Sequence, residues 1–184
     1  MRAIGIAPSD DRESVIIATL PASNATYTAI LSGNNGGTGI GVVEVYDISQ
    51  SANSRLANIS SRGFVDINDN IMIGGFIIGP TTNGSSNVLV RAIGPSVPLA
   101  GALQDPMLEL HDGNGATITT NDNWKISDAT GQSQEADIRA SGAPPSDDRE
   151  SALLATLAPG NYTAVVRGKN NTTGVGLVEA YDLP

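Results

Sequence analysis

The 184-residue sequence has no cysteine and a single histidine, and aromatic residues make up only 4% of it. Without cysteine, the chain forms no disulfide bond and no thiolate metal site. A lone His111 excludes a histidine-rich zinc site, and no G-x-S-x-G nucleophile motif is present. We therefore expect a protein that is not an enzyme.

Basic residues are also scarce, because 10 Lys and Arg face 19 Asp and Glu, for a net charge of −9. An acidic surface repels phosphate backbones, so we expect no nucleic-acid partner. No apolar run reaches the length of a membrane span, so we expect no membrane insertion. The first residues lack the layout of a signal peptide, so an exported form of this chain would be a mature chain or a fragment.

What the sequence does contain is typical of strands and turns. Its apolar residues are 40% of the chain, mostly Val, Ile, Leu and Ala, and 21 Gly and 10 Pro separate them into short runs. This pattern predicts an all-β fold, an antiparallel two-sheet β-sandwich of jelly-roll type. At most one short helix is expected, at residues 133–141.

An internal repeat organises the chain. Residues 2–20 match 139–157 at 13 of 19 positions, and residues 27–48 match 162–183 at 12 of 22. Each copy reads as three strands. We predict that 1–49 is a partial repeat, a three-strand tail half that duplicates 138–184, and that 50–184 is a complete sandwich unit. The apolar faces of the partial repeat must pack on the complete unit or on another chain.

Both copies begin with the heptapeptide PSDDRES, at Pro8–Ser14 and Pro145–Ser151. Its acidic residues suggest a calcium site, since calcium prefers several carboxylate and carbonyl oxygens. The alternative is a polar turn that leads into a strand, in which Asp bonds to nearby backbone and Arg pairs with a carboxylate. The duplication favours the turn, because a repeated unit copies its structural turns.

A second acidic segment, HDGNGATITTNDNW at 111–124, adds further oxygen donors. It lacks the glutamate that closes a helix-loop-helix calcium loop, and DGNG is also ordinary hairpin-turn sequence. The candidate calcium ligands from both segments are Asp112, Asn114, Asp122, Asp147 and Asp148. Trp124 is either a solitary platform for a sugar or a plug at the end of the sandwich.

The segments LELHDGNGATITTNDNW, DDRESALLATLAPGNYTAVVRG and GVGLVEAYDL resemble a tandem repeat of bacterial secreted and cell-surface proteins. They are more loosely similar to the prepeptidase C-terminal family of β-sandwich modules. The resemblance covers residues 54–184 fully and 1–49 as a second tail half. It implies a jelly-roll-like sandwich, an extracellular or cell-surface location and a non-catalytic role.

Two functions fit these observations. The first is an extracellular structural or assembly module that associates with copies of itself or with neighbouring repeats, as a fibre or surface layer, by strand complementation. The alternative is an accessory binding module of a secreted hydrolase, stabilised by calcium, that binds a carbohydrate or a matrix protein. No cofactor other than calcium is expected.

Overall fold

A computed structural model describes residues 5–21, 26–48, 56–80 and 84–183. The chain divides into two compact units, Met1–Arg55 and Leu56–Pro184. The predicted domain boundary between residues 49 and 50 lies outside the described residues.

The second unit is a β-sandwich of two four-stranded antiparallel sheets, with strand orders β1-β8-β3-β6 and β2-β7-β4-β5. The predicted all-β, two-sheet fold is therefore confirmed. The elements are β1 (Asn58–Val65), β2 (Met72–Ile78), β3 (Ser86–Ile93), β4 (Pro106–Asp112), β5 (Thr117–Asn121), α1 (Glu135–Ala140), β6 (Ser151–Leu157), β7 (Gly160–Gly168) and β8 (Gly174–Leu183).

The core between the sheets is aliphatic, as the scarcity of aromatic residues requires. Strand β4 shows the pattern, since Leu108 and Leu110 are fully buried while Met107 and Glu109 are only partly covered. Alternate side chains of a strand point to opposite faces, so one face of each strand supplies the core. Each such buried leucine contributes about 1.5–3 kcal/mol of hydrophobic free energy.

The short helix α1 falls within the predicted 133–141. Its Ile138 packs with Trp124, Leu89 of β3 and Ala152 of β6 in a cluster separate from the core. Trp124 is only 1% exposed, and its indole nitrogen donates to the Asp147 carbonyl at 3.1 Å. Trp124 thus covers the outer face of a sheet and presents no open ring face to a sugar. Among the described residues, no helix is long and apolar enough to cross a membrane.

The three last strands do not pair with one another. Strand β6 pairs with β3, β7 lies between β2 and β4, and β8 lies between β1 and β3. We call strands β1–β5 (58–121) the front half, 138–183 the C-terminal tail half and 1–49 the N-terminal tail half. The C-terminal tail half becomes sheet only because the front half supplies every neighbouring strand.

The N-terminal tail half has no assigned strand within 5–21 and 26–48, where its regular element is a single 3₁₀ turn at Asn34–Gly36. Three strands were predicted in this segment. Pairing explains the difference, because the same sequence forms strands in the C-terminal tail half against partners that belong to the front half.

Candidate functional site

The second PSDDRES segment places Glu150 at the joint between the front half and the C-terminal tail half. Its side chain is 0% exposed. Its carboxylate accepts hydrogen bonds from the Gly94 and Ser96 amides at 3.2 and 2.9 Å and from the Ser96 hydroxyl at 3.0 Å. The Ser146 and Asp147 amides also donate to it, each at 3.1 Å. A buried carboxylate is tolerable only when hydrogen-bonded, and these donors come from both halves.

The rest of the heptapeptide shapes the turn itself. Arg149 donates to both carboxylate oxygens of Asp147, at 2.9 and 2.9 Å. This side-chain hydrogen bond, with a further bond from the Arg149 amide, lowers the pKa of Asp147 to about 2. Within this heptapeptide, Asp147 and Arg149 are thus partners of one another, and Glu150 is bound by the front half and by its own turn.

A second joint links β3 to β8 through a charged pair. Arg91 contacts the Glu179 carboxylate through two nitrogens, one of them at 3.0 Å. Arg91 also donates to the Tyr181 hydroxyl at 2.8 Å and to the Ala143 carbonyl at 2.7 Å. Both charged side chains are largely buried, and Tyr181 lies against the guanidinium at 5.0 Å. Such a pair is costly to break from one side, because the remaining charge stays buried.

A third joint is a close backbone approach at the start of β8. A Cβ atom on Gly174 would lie 2.7 Å from the Leu103 nitrogen and 2.8 Å from the Gly101 oxygen. The neighbouring Val175 exchanges backbone hydrogen bonds with this loop, at 2.8 Å to Gly101 and 2.9 Å from Leu103. Only glycine fits at position 174, because the front-half loop at Gly101 and Leu103 leaves no room for a Cβ atom.

The N-terminal tail half reproduces the local parts of these joints. Glu13 accepts the amides of Ser9 and Asp10 at 3.0 and 3.2 Å, as Glu150 accepts those of its own turn. Arg12 donates to both oxygens of Asp10 at 2.9 and 2.8 Å, and lowers the pKa of Asp10 to about 2. The Tyr27 hydroxyl donates to the Pro21 carbonyl at 2.8 Å, as its counterpart Tyr162 donates to the Ala158 carbonyl.

The loop before the last strand is also reproduced. Asn35 has φ +52° and its counterpart Asn170 has φ +54°. A Cβ on Gly33 would lie 1.8 Å from the Gly37 carbonyl oxygen, and one on Gly168 would lie 1.9 Å from the corresponding oxygen of Thr172. The N-terminal tail half therefore has the turns of a folded tail.

The long-range parts of the joints are missing from the described N-terminal tail half. Glu13 and Glu44, the counterparts of Glu150 and Glu179, are exposed. Tyr46 donates to Glu44 at 3.2 Å, as Tyr181 does to Glu179, but no arginine joins the pair among the described residues. A Cβ on Gly39, the counterpart of Gly174, would meet nothing within 4 Å. Each of these residues is identical to one that contacts the front half at the equivalent position of the C-terminal tail half.

The large apolar side chains follow the same rule. From Val15 to Ile48, those of the described N-terminal tail half are exposed, and their counterparts in the C-terminal tail half are buried or half-buried. Ile30, for example, is 87% exposed, whereas its counterpart Val165 is 8% exposed. The exposed residues are Val15, Ile16, Ile17, Leu20, Tyr27, Ile30, Leu31, Ile40, Val42, Val43, Val45, Tyr46 and Ile48.

Of the five candidate calcium ligands, Asp112 and Asn114 share one hairpin turn, and the other three have different partners. Asp112 accepts the Asn114 and Ala116 amides, both at 2.9 Å, and these bonds close the predicted β4–β5 hairpin turn and lower the pKa of Asp112. Asp148 pairs with Lys125 at 2.6 Å. Asp147, as described above, is held by its own arginine.

The fifth candidate, Asp122, lies in an acidic cluster that sequence reasoning missed. Lys169 is 2.5 Å from Asp122 and 3.8 Å from Asp105, and one oxygen of each aspartate is buried without a hydrogen-bond partner. Burial and the charge of Asp122 raise the pKa of nearby Asp128.

No group of three or more His, Asp or Glu in the described part of the chain is arranged to hold a metal. The calcium site stays a prediction, which a melting curve in calcium against one in chelator decides.

Among solved structures, the chain is similar to the pre-peptidase C-terminal domain of a collagenase from Bacillus anthracis, at 10% identity and a TM-score of 0.42. The match covers 67% of this chain and 88% of that one. That domain bears the name of the β-sandwich family that the sequence motifs resemble. Such a distant likeness transfers no activity or ligand, and the fold rests on the chain's own sheets. No protein-family model and no curated protein matches the sequence.

The first prediction compares two matched substitutions. Glu150→Gln places an amide N–H₂ among donors, so it should lower the free energy of unfolding by at least about 2 kcal/mol. Glu13→Gln should change it by less than about 0.5 kcal/mol, because Glu13 is exposed. Urea unfolding of the sandwich measures both values. Equal effects of the two substitutions would contradict the assignment of Glu150 to the joint.

The second prediction concerns acid stability. The folded-state pKa of Asp147 lies below its ordinary value of 3.8, so its contribution is present above that pH and is lost as the pH falls towards about 2. Asp147→Asn should therefore flatten the loss of stability in this window. Asp10→Asn, which removes the matching turn of the N-terminal tail half, should leave the acid profile of the sandwich unchanged. A steeper profile for Asp147→Asn would refute the assignment.

Proposed function

We propose that this protein is a non-catalytic extracellular structural module in which neighbouring repeats share half-sandwiches. Residues 5–21 and 26–48 supply tail strands, and a front half from a neighbouring repeat or another copy supplies the strands between them. The association is strand complementation, in which backbone hydrogen bonds give affinity and buried side chains give specificity.

One observation carries this proposal. Glu13 and Glu150 have the same local hydrogen bonds within the same heptapeptide, yet Glu150 is fully buried by front-half donors and Glu13 is exposed. The N-terminal tail half thus has the turns of the C-terminal tail half, while its described residues lack the contacts with a front half. The exposed apolar side chains support the same conclusion, because large apolar patches mark interaction surfaces.

The non-catalytic part of the proposal is supported by how the charged side chains are used. Glu150 and Glu179 hold two halves together, and Asp112 and Asp147 close turns. His111 contacts Glu109 at 2.9 Å on the same strand. The extracellular assignment is supported by the motifs that resemble the repeat of secreted bacterial proteins.

The experiment measures association and protection together. Sedimentation velocity should show the average size of the particles rising with concentration. Hydrogen exchange should show amides of 26–31 and 40–46 gaining protection over the same range, because strand pairing protects them. Amides of 160–168 and 174–183 should be protected at low concentration and should lose protection over the same range, because one front half holds one tail half at a time.

Three matched substitutions make the result specific. Ile30→Asp should abolish association without lowering the melting temperature of the sandwich, because Ile30 is exposed. Val165→Asp, at the buried counterpart, should lower the melting temperature of the sandwich, and Ile118→Asp, at an exposed position of β5, should change neither association nor melting temperature. A particle that stays monomeric at high concentration, with unprotected amides at 26–31, would disprove the self-associating form.

A further inference from the structure

We infer that the front half is a receptor for either tail half, so that the N-terminal tail half of this chain can replace the C-terminal tail half in its own sandwich. The inference rests on the proposed function and identifies the partner surface. The surface is the one that now holds β6, β7 and β8, and its occupant would be residues 5–21 and 26–48 of the same chain.

The polar contacts support exchange because each has its counterpart. Glu13 is the counterpart of Glu150 and could accept the same Gly94 and Ser96 donors. Glu44 and Tyr46 are the counterparts of Glu179 and Tyr181 and could bind the same Arg91. These residues sit at equivalent positions of two segments that are identical at 25 of 41 aligned residues, the sum of the two matched blocks.

Gly39 is an independent sign of the same partner. Its counterpart Gly174 must be glycine because the loop Gly101–Leu103 approaches within 3 Å of where a Cβ would lie. A Cβ on Gly39 would meet nothing within 4 Å and its φ is not in the positive range, so its own described environment would accept a side chain. A loop like 101–103 at that position would require the glycine.

The two tail halves differ in their fit to the core. Ala152, Leu153 and Val166 are buried against the front half, and the residues at these positions in the N-terminal tail half are Val15, Ile16 and Leu31. All are apolar, so the core stays closed, but the added volume strains a packed interior. The C-terminal tail half is therefore the preferred occupant.

The ends of the chain make the exchange possible within one molecule. In the sandwich, the end of β8 lies beside the start of β1, since Asn58 is opposite Tyr181 and the Asp182 amide donates to the Ala57 carbonyl at 3.0 Å. A docked N-terminal tail half would end at Ile48 in the place of Leu183. Residues 49–56 then need to span only a short gap to Ala57. A tether of this length gives a high effective concentration.

Engineered disulfides test the exchange in the full chain, which has no native cysteine. Arg62 of β1 lies opposite Leu177 of β8, whose counterpart is Val42. The pair Arg62→Cys with Leu177→Cys reports the C-terminal tail half, and the pair Arg62→Cys with Val42→Cys reports the N-terminal tail half. Arg62 and Val42 are exposed, so the second pair leaves the sandwich core intact. Opposed strand residues are close enough for a disulfide.

At low protein concentration in oxidising buffer, the Arg62–Leu177 pair should close at once. The Arg62–Val42 pair should close slowly but completely, within one chain. Adding Glu150→Gln should speed that closure at least 10-fold, and adding Glu13→Gln should slow it by a similar factor, because each weakens a different tail half. The register control Arg62→Cys with Val43→Cys should not close, since a shift of one residue reverses the face.

Failure of the Arg62–Val42 pair to close would overturn the inference, as would closure at the same rate as the register control. Disulfides formed only between chains would also overturn it, in favour of a second copy as the source of the front half. Because the trap is read in monomers at low concentration, its failure alone leaves association at high concentration, and with it the proposed function, intact.

Discussion

The structure depends on a carboxylate that two halves of the chain must satisfy together. Glu150 is fully buried, and its own turn provides only the Ser146 and Asp147 donors; Gly94 and Ser96 of the front half provide the rest. If either set were missing, the charge would lack partners away from water. The turn and the front half are therefore folded as one unit in the sandwich.

This constraint explains why Glu13 and Glu44 of the N-terminal tail half are exposed. Its turn preserves Glu13 with the same local bonds, but a carboxylate with only half of its donors stays in water. The same holds for Glu44, whose counterpart is paired with a buried arginine. Residues 1–184 contain two tail halves and one front half, and the proposed linking of repeats would give the second tail half a front half of its own.

Much of the fold follows from local sequence. The β4–β5 hairpin is encoded by DGNG, in which the Asp112 side chain closes the turn and Gly115 adopts φ +81°. The short apolar runs between Gly and Pro predicted the all-β, two-sheet fold, and the short helix lies inside its predicted range. These features depend on residues that are close in sequence, so they can be predicted from one sequence.

The site could not be read in the same way, because its contacts connect distant residues. Nothing adjacent to Arg91 indicates that it binds Glu179, 88 residues away. The turn within PSDDRES was an open alternative from the sequence, but the contacts of Glu150 with Gly94 and Ser96 were not, because more than 50 residues separate them. The repeat did contain a usable signal. Gly39, Glu13, Glu44 and Tyr46 are identical to their counterparts in the C-terminal tail half, and no single local contact accounts for all four identities.

The most direct test of this account is a double-mutant cycle between the two halves, with Ser96→Ala and Glu150→Gln made singly and together in the full chain. If the carboxylate holds the halves together, the coupling free energy of unfolding should be about 1 kcal/mol or more. The same cycle between Ser96 and Glu13 should give a coupling free energy near zero while the C-terminal tail half occupies the sandwich. Additive effects of Ser96→Ala and Glu150→Gln would contradict the account.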